Sequence, residues 1–193
     1  IAEMIRTTAQ IARKFHDNSW PILVLCDTHE ANRPEPPFPP HCIRGSGEEE
    51  LVPDLLFIRE WRTAKVLQKD CNNGFIGGIH SGGRNFVIDW LNNKVVEALI
   101  VTGICTDICD SDFVCSTLSA HNHYLCPESG EKLLPHLQDV VVYVPACATY
   151  DLPYEATSPL GLPPTAAHPG RITNHIGLWM MQSRGAILAS CIR

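Results

Sequence analysis

Three short, unbroken apolar runs constrain this chain more than anything else in it. They are Ile22-Leu23-Val24-Leu25-Cys26, Ala98-Leu99-Ile100-Val101 and Val140-Val141-Val142-Tyr143-Val144. Runs of this length without polar alternation predict strands buried on both faces, as in a parallel sheet with helices packed above and below. The segments between them supply such helices. Ile1, Met4, Ile5, Ile11, Ala12 and Phe15 share one helical face, and Phe86, Val87, Trp90 and Leu91 share another. Gly103 to Asp107 turns the second run into a helix from about Asp107 to His121. Ile172, Ile176, Trp179 and Met180 mark a further helix closed by Gly185, and Ala186 to Ile192 reads as a last strand. The predicted fold is α/β, a three-layer α/β/α arrangement around a mostly parallel central sheet. Ligands of such sheets bind beyond the carboxyl ends of the strands. The polar motifs of this chain fall at those ends.

A length of 193 residues suits a single domain, 1–193, with a sizeable core. Residues 121–138 are polar and irregular, with Pro127, Gly130 and Pro135, and are expected to form a surface insertion. The net charge of −6 argues against nucleic acid or an anionic membrane as a partner. No apolar run is long enough to span a bilayer, and no secretion leader is expected. The nine cysteines are odd in number, and Cys26, Cys105, Cys147 and Cys191 sit in apolar runs. A disulfide scaffold is therefore not expected, and a reducing cytoplasm is. The sequence opens on Ile1 rather than Met, so the domain is expected to be incomplete at its N-terminus.

Chemistry is concentrated in three places. Gly103-Ile104-Cys105-Thr106-Asp107-Ile108-Cys109 joins a strand end to a helix start, where free amides and the helix dipole favour a thiolate or an oxyanion. Two cysteines packed in a tight turn would look the same, and the residues alone leave both readings open.

Asp27-Thr28-His29 is followed by Glu35 and by His41 in Pro39-Pro40-His41-Cys42. Residues two apart on a strand point the same way, so Asp27 and His29 can converge on one ion. Pro34, Pro36, Pro37, Pro39 and Pro40 stiffen the loop that carries Glu35 and His41. Carboxylate and imidazole donors suit zinc, iron or manganese. The alternative, a proline-rich ligand segment, belongs in a tail rather than between a strand and more core. The metal reading is the better one. In Gln68-Lys69-Asp70-Cys71-Asn72-Asn73-Gly74-Phe75, Lys69 in isolation reads as a surface charge. It gains meaning only if it points into the same crevice, where it would stabilise a thiolate or tetrahedral oxyanion. The remaining histidines, His168 among them, show no convergent spacing and are read as surface or core residues.

Taken together, these stretches resemble the isochorismatase-like cysteine hydrolases, nearest to their plant nicotinamidases. The likeness rests on Asp27-Thr28-His29, on Pro34 to Ile43, on Lys69-Asp70-Cys71, on Val101 to Cys109 and on Asp139 to Tyr143. It implies an amidase that converts nicotinamide to nicotinate and ammonia in NAD salvage, through a thioester. By the resemblance Cys109 is the nucleophile and Lys69 the triad lysine. The backbone amides of Cys105 and Cys109 form the oxyanion hole, beside a cis peptide between Ile104 and Cys105. Asp27, His29, Glu35 and His41 hold a divalent metal, typically zinc. Phe38, Phe75 and Ile104 border the substrate ring.

The family's base is an aspartate closing a first strand, in a segment like Val-Asp-x-x-Asn-Gly-Phe; Asp17 follows the first helix rather than a strand and Asp27 is taken by the metal, so the triad is expected to be incomplete. The expectation is a sheet without its first strand and a chain that is inactive, or nearly so, as it stands. A hydrolase for another small amide, or a binding relative without turnover, remain the alternatives. Homo-oligomerisation is left open.

Overall fold

The computed structural model describes every residue except Pro34, Pro37 and Arg193. Those two prolines, expected to stiffen the loop before His41, therefore lie outside the described residues.

The apolar runs become parallel strands. Helix α1 (Ala2–Asp17) precedes β1 (Ile22–Asp27), which pairs in parallel with β2 (Ala64–Lys69), so that Asp27 lies opposite Lys69. A 3-10 helix, Pro53–Glu60, connects the two strands. Helix α2 (Phe86–Asn93) is capped by Asn85, whose side chain accepts from the amides of Val87 and Ile88. Strand β3 (Ala98–Ile104) then leads through a π-helical turn, Thr106–Asp110, into α3 (Ser111–His121). A short antiparallel hairpin follows, β4 (Tyr124–Cys126) with β5 (Glu131–Lys132). Strand β6 (Asp139–Ala148) pairs in parallel with β3 and with β7 (Ile187–Ala189). Between β6 and β7 lie the single turn α4 (Tyr154–Thr157) and the longer α5 (Gly170–Ser183).

The layered α/β architecture is the expected one, but the central sheet comes in two pieces, β1–β2 and β3–β6–β7. No ladder joins them among the described residues. Helix α1 packs against β1 and also against β3 and β6, so it touches both pieces. Strand β1, expected to be buried on both faces, is mostly half-buried because β2 is its one ladder partner among the described residues.

The core gathers where the second sheet meets α2 and α3. Val87, Val114, Leu134, Val142 and Met181 are fully buried there, each burial stabilising by roughly 1.5–3 kcal/mol. Leu134 and Leu137 belong to this core, which corrects the reading of residues 121–138 as a surface insertion. The hairpin is at the surface, and the segment after it is anchored inside. On α5, the expected apolar stripe of Ile172, Ile176 and Trp179 faces outward. The buried positions of that helix are Gly170, Gly177 and Met181.

Candidate active site

Asp27, Lys69 and Ile104 end β1, β2 and β3 on the same side of the molecule, and the reactive residues collect just beyond them. The peptide between Ile104 and Cys105 is cis. The Cys105 carbonyl then accepts from the amides of Ile108 and Asp110, both at 3.1 Å, and this fixes the turn that carries Cys109.

Lys69 is 5% exposed. The turn after it presses on its stem, since a Cβ at Gly77 would come within 2.6 Å of Lys69 Cβ. Lys69 Nζ donates to the Cys71 carbonyl at 2.9 Å, forms an ion pair with Asp27, and lies 3.9 Å from Cys109 Sγ. Cys109, not Cys105, is thus the cysteine beside the lysine. Burial pushes the Cys109 thiol up to about 12, with Lys69 pulling it down and Asp27 pushing it further up. For Lys69, burial opposes the ammonium, but the charges of Cys109 and Asp27 outweigh it and its pKa is raised.

Asp27, His29 and His41 bring one donor atom each within 4.8 Å of one another. Glu35 closes on the same point, its Oε2 lying 3.6 Å from His29 Nε2 and 3.9 Å from His41 Nε2. The loop between them is drawn back onto the strand end, with the His29 amide donating to the Cys42 carbonyl at 3.0 Å and the Arg44 amide to the His29 carbonyl at 2.9 Å. His41 Nδ1 lies 2.9 Å from the Pro39 carbonyl. That carbonyl requires a donor, which leaves His41 Nε2 as a lone-pair ligand. His29 Nε2 and Glu35 Oε2 are buried without a hydrogen-bond partner. Buried polar atoms are rarely left so, and two orphaned donor atoms facing each other fit a divalent cation.

Sequence reasoning gave Asn72 no role. Its amide donates to Glu35 Oε1 at 2.7 Å, and its side-chain oxygen lies 4.0 Å from Cys109 Sγ. It therefore links the metal donors to the thiol, and its place three residues after Lys69 in the same turn was the available signal. Of the expected ring-pocket residues, Phe38 sits edge-on to His41 with centroids 6.0 Å apart, and Ile104 is exposed at the end of β3. Phe75 is 8% exposed and packs in the core cluster. The resemblance put it at the ring pocket, but two hydrogen bonds to Asn73 Oδ1, from the Phe75 and Ile76 amides, turn the chain there and Phe75 packs inward.

His168 was read as an ordinary surface or core residue. Instead its Nε2 lies 2.7 Å from Asp107 Oδ2, in the turn that carries Cys109.

A thiol held beside a buried ammonium, at the carboxyl ends of parallel strands, is the arrangement of an α/β cysteine hydrolase. The particular family follows from comparison: the isochorismatase domain matches residues 1–158, and the chain belongs to that family. It is 42% identical to Nicotinamidase 1 of Arabidopsis thaliana over 192 residues, covering 100% of this chain and 75% of that protein. Among solved structures, the nicotinamidase from Bacillus subtilis aligns with a TM-score of 0.67 at 18% identity, over 98% of this chain and 85% of that one. The pyrazinamidase of Pyrococcus horikoshii in complex with zinc aligns at 0.65 and 17% identity, over 98% and 86%. These structural likenesses concern the fold.

Proposed function

We propose that this protein is a metal-assisted amidase that converts nicotinamide to nicotinate and ammonia through a thioester on Cys109. The observation that carries the proposal is the 3.9 Å approach of Lys69 Nζ to Cys109 Sγ, with Lys69 also paired to Asp27 of the donor cluster.

The chemistry balances as follows. A base removes the thiol proton, and the sulfur attacks the carboxamide carbon. The backbone amides of Cys105 and Cys109 receive the oxyanion. The C–N bond breaks as the nitrogen takes a proton and leaves as ammonia. Water then cleaves the thioester, releasing nicotinate and restoring the thiol. Burial raises the Cys109 thiol and the Lys69 ammonium opposes that rise, so Lys69 is the group that favours the attacking thiolate. Asp27, His29, Glu35 and His41 would hold a divalent ion, with zinc the family's usual choice. When bound, that ion supplies a Lewis acid for the pyridine nitrogen of the substrate. Phe38 and Ile104 border the ring.

The carboxylate on Lys69 in this chain is Asp27, which also belongs to the donor cluster. The one Asp-x-x-Asn-Gly-Phe run, Asp70 to Phe75, follows Lys69 at the end of β2 rather than closing a first strand, so no aspartate is assigned as the base. All nine cysteines are free, and none of the described helices is long and apolar enough to cross a membrane. The test is ammonia release from nicotinamide by the full-length protein and by Cys109→Ala. Release that survives in Cys109→Ala, or a panel in which another small amide is turned over faster, would remove the reading.

A further inference from the structure

We infer that His168 is a positioning residue for the Cys109 nucleophile, acting through Asp107. The inference rests on the role proposed above for Cys109.

The Cys109 thiol has weak partners, Lys69 Nζ at 3.9 Å and Asn72 Oδ1 at 4.0 Å. Contacts that long do not hold a sulfur in place. Its position has to come from the backbone of the Thr106–Asp110 turn. Within that turn Asp107, two residues before Cys109, has both carboxylate oxygens tied to other parts of the molecule. Thr149 Oγ1, just past the end of β6, donates to Asp107 Oδ1 at 2.6 Å. His168 Nε2, just before α5, lies 2.7 Å from Asp107 Oδ2, with both side chains 12% exposed.

His168 is itself rigidly framed. Its amide donates to the Leu152 carbonyl at 2.8 Å, and its carbonyl accepts from the Leu152 amide at 2.9 Å. Its ring stacks on Tyr150, with centroids 4.0 Å apart and planes 19° from parallel, and its Nδ1 lies 2.9 Å from the Tyr150 carbonyl. The ring is thus held between a backbone carbonyl on Nδ1 and a carboxylate on Nε2. From the third side, α5 closes directly on the turn. A Cβ at Gly177 would sit 2.6 Å from Asp107 Cα and 2.8 Å from the Thr106 carbonyl oxygen. Asp107 is thus gripped by the exit of β6, by the loop before α5 and by α5 itself. A reacting atom displaced by about 1 Å can cost on the order of a hundredfold in rate, so this grip bears on the reaction and not on folding alone.

The experiment compares the zinc-loaded full-length protein with His168→Ala and His168→Gln. Nicotinamide kcat and KM, melting temperature and iodoacetamide labelling of Cys109, resolved by peptide mass spectrometry, are measured for each. His168→Ala is expected to lower kcat roughly ten- to a hundredfold, with KM changed by less than about twofold. His168→Gln, whose amide still donates to Asp107, is expected to recover most of the loss. Cys109 labelling is expected to slow in His168→Ala, because a displaced sulfur leaves the lysine. An unchanged kcat in His168→Ala overturns the inference, as does an equal loss in both variants that tracks a fall in melting temperature. Should His168→Ala not fold, Thr149→Val removes the other tether of Asp107 and must show the same kcat loss, and normal turnover in it overturns the inference. If the wild-type protein releases no ammonia, the proposed function fails separately. Labelling then decides, and unchanged Cys109 labelling in His168→Ala overturns the positioning role.

Discussion

Asp27 and Lys69 stand opposite each other in the parallel register of β1 and β2, and their side chains meet in an ion pair at the ends of those strands. One carboxylate thereby joins two assemblies, the lysine–thiol pair and the metal donors. The lysine side chain is 4% exposed and the aspartate 19%. Removing the buried partner leaves a charge in poor solvent.

Lys69→Met should accordingly destabilise the metal-free protein by about 3 kcal/mol, the low end for breaking a buried pair because Asp27 keeps some water contact. A divalent ion offers Asp27 another positive partner, so the loss should shrink when metal is added. Urea denaturation of both proteins with and without zinc measures this. Equal stability of wild type and variant in the metal-free state would mean that the pair contributes nothing.

The same charges set the reactivity of Cys109. Burial raises its pKa most, Lys69 lowers it and Asp27 raises it. In metal-free protein around pH 8, Asp27→Asn should therefore label faster with iodoacetamide at Cys109 than wild type. Lys69→Met should label more slowly. With nine cysteines present the labelling has to be resolved by peptide. Unchanged rates in both variants would place Cys109 outside the field of this ion pair.

How far such relationships could be read beforehand depends on their range. Ile22 to Cys26 announces β1 because burial on both faces tolerates no polar residue. Strand β2 gave no such run, since Lys65 and Gln68 are exposed positions within it. What makes it a strand is its pairing with β1, roughly forty residues away. The donors Asp27, His29, Glu35 and His41 lie within fifteen residues, and their chemistry was legible as a local pattern. Asp107 and His168 are 61 residues apart, and no spacing relates them. On α5 the apolar period gave the helix but not its covered side. The π-helical turn approaches so closely that only Gly177 fits beneath it, and the larger apolar residues are left facing out.

Removing the ion tests the donor cluster. Chelation of full-length protein should abolish most nicotinamide turnover, and zinc should restore it. His29→Ala should weaken zinc binding by at least about a hundredfold, since loss even of a ligand's outer hydrogen-bond partner costs roughly 10–100-fold. His41→Ala, on the more exposed loop, should behave alike. Isothermal titration with zinc reads both variants, and wild-type affinity in either would exclude that residue as a ligand.

Asp110 gives a prediction independent of catalysis. The residue is buried, and its Oδ2 lacks a partner. Burial raises its pKa from 3.8 to about 7, with the Cys147 hydrogen bond opposing and Asp107 adding to the rise. A carboxyl whose folded pKa is raised costs nothing below the unfolded value. The penalty grows as pH climbs from 3.8 towards 7, and it is complete above that. The difference corresponds to about 4 kcal/mol at full ionisation. Asp110→Asn keeps the shape without the charge. It should be more stable than wild type around pH 8, and the margin should fall by about 2–3 kcal/mol around pH 5. Denaturant midpoints of the two proteins across that range measure the margin, and a margin independent of pH would mean that Asp110 ionises in the folded protein as freely as it does in water.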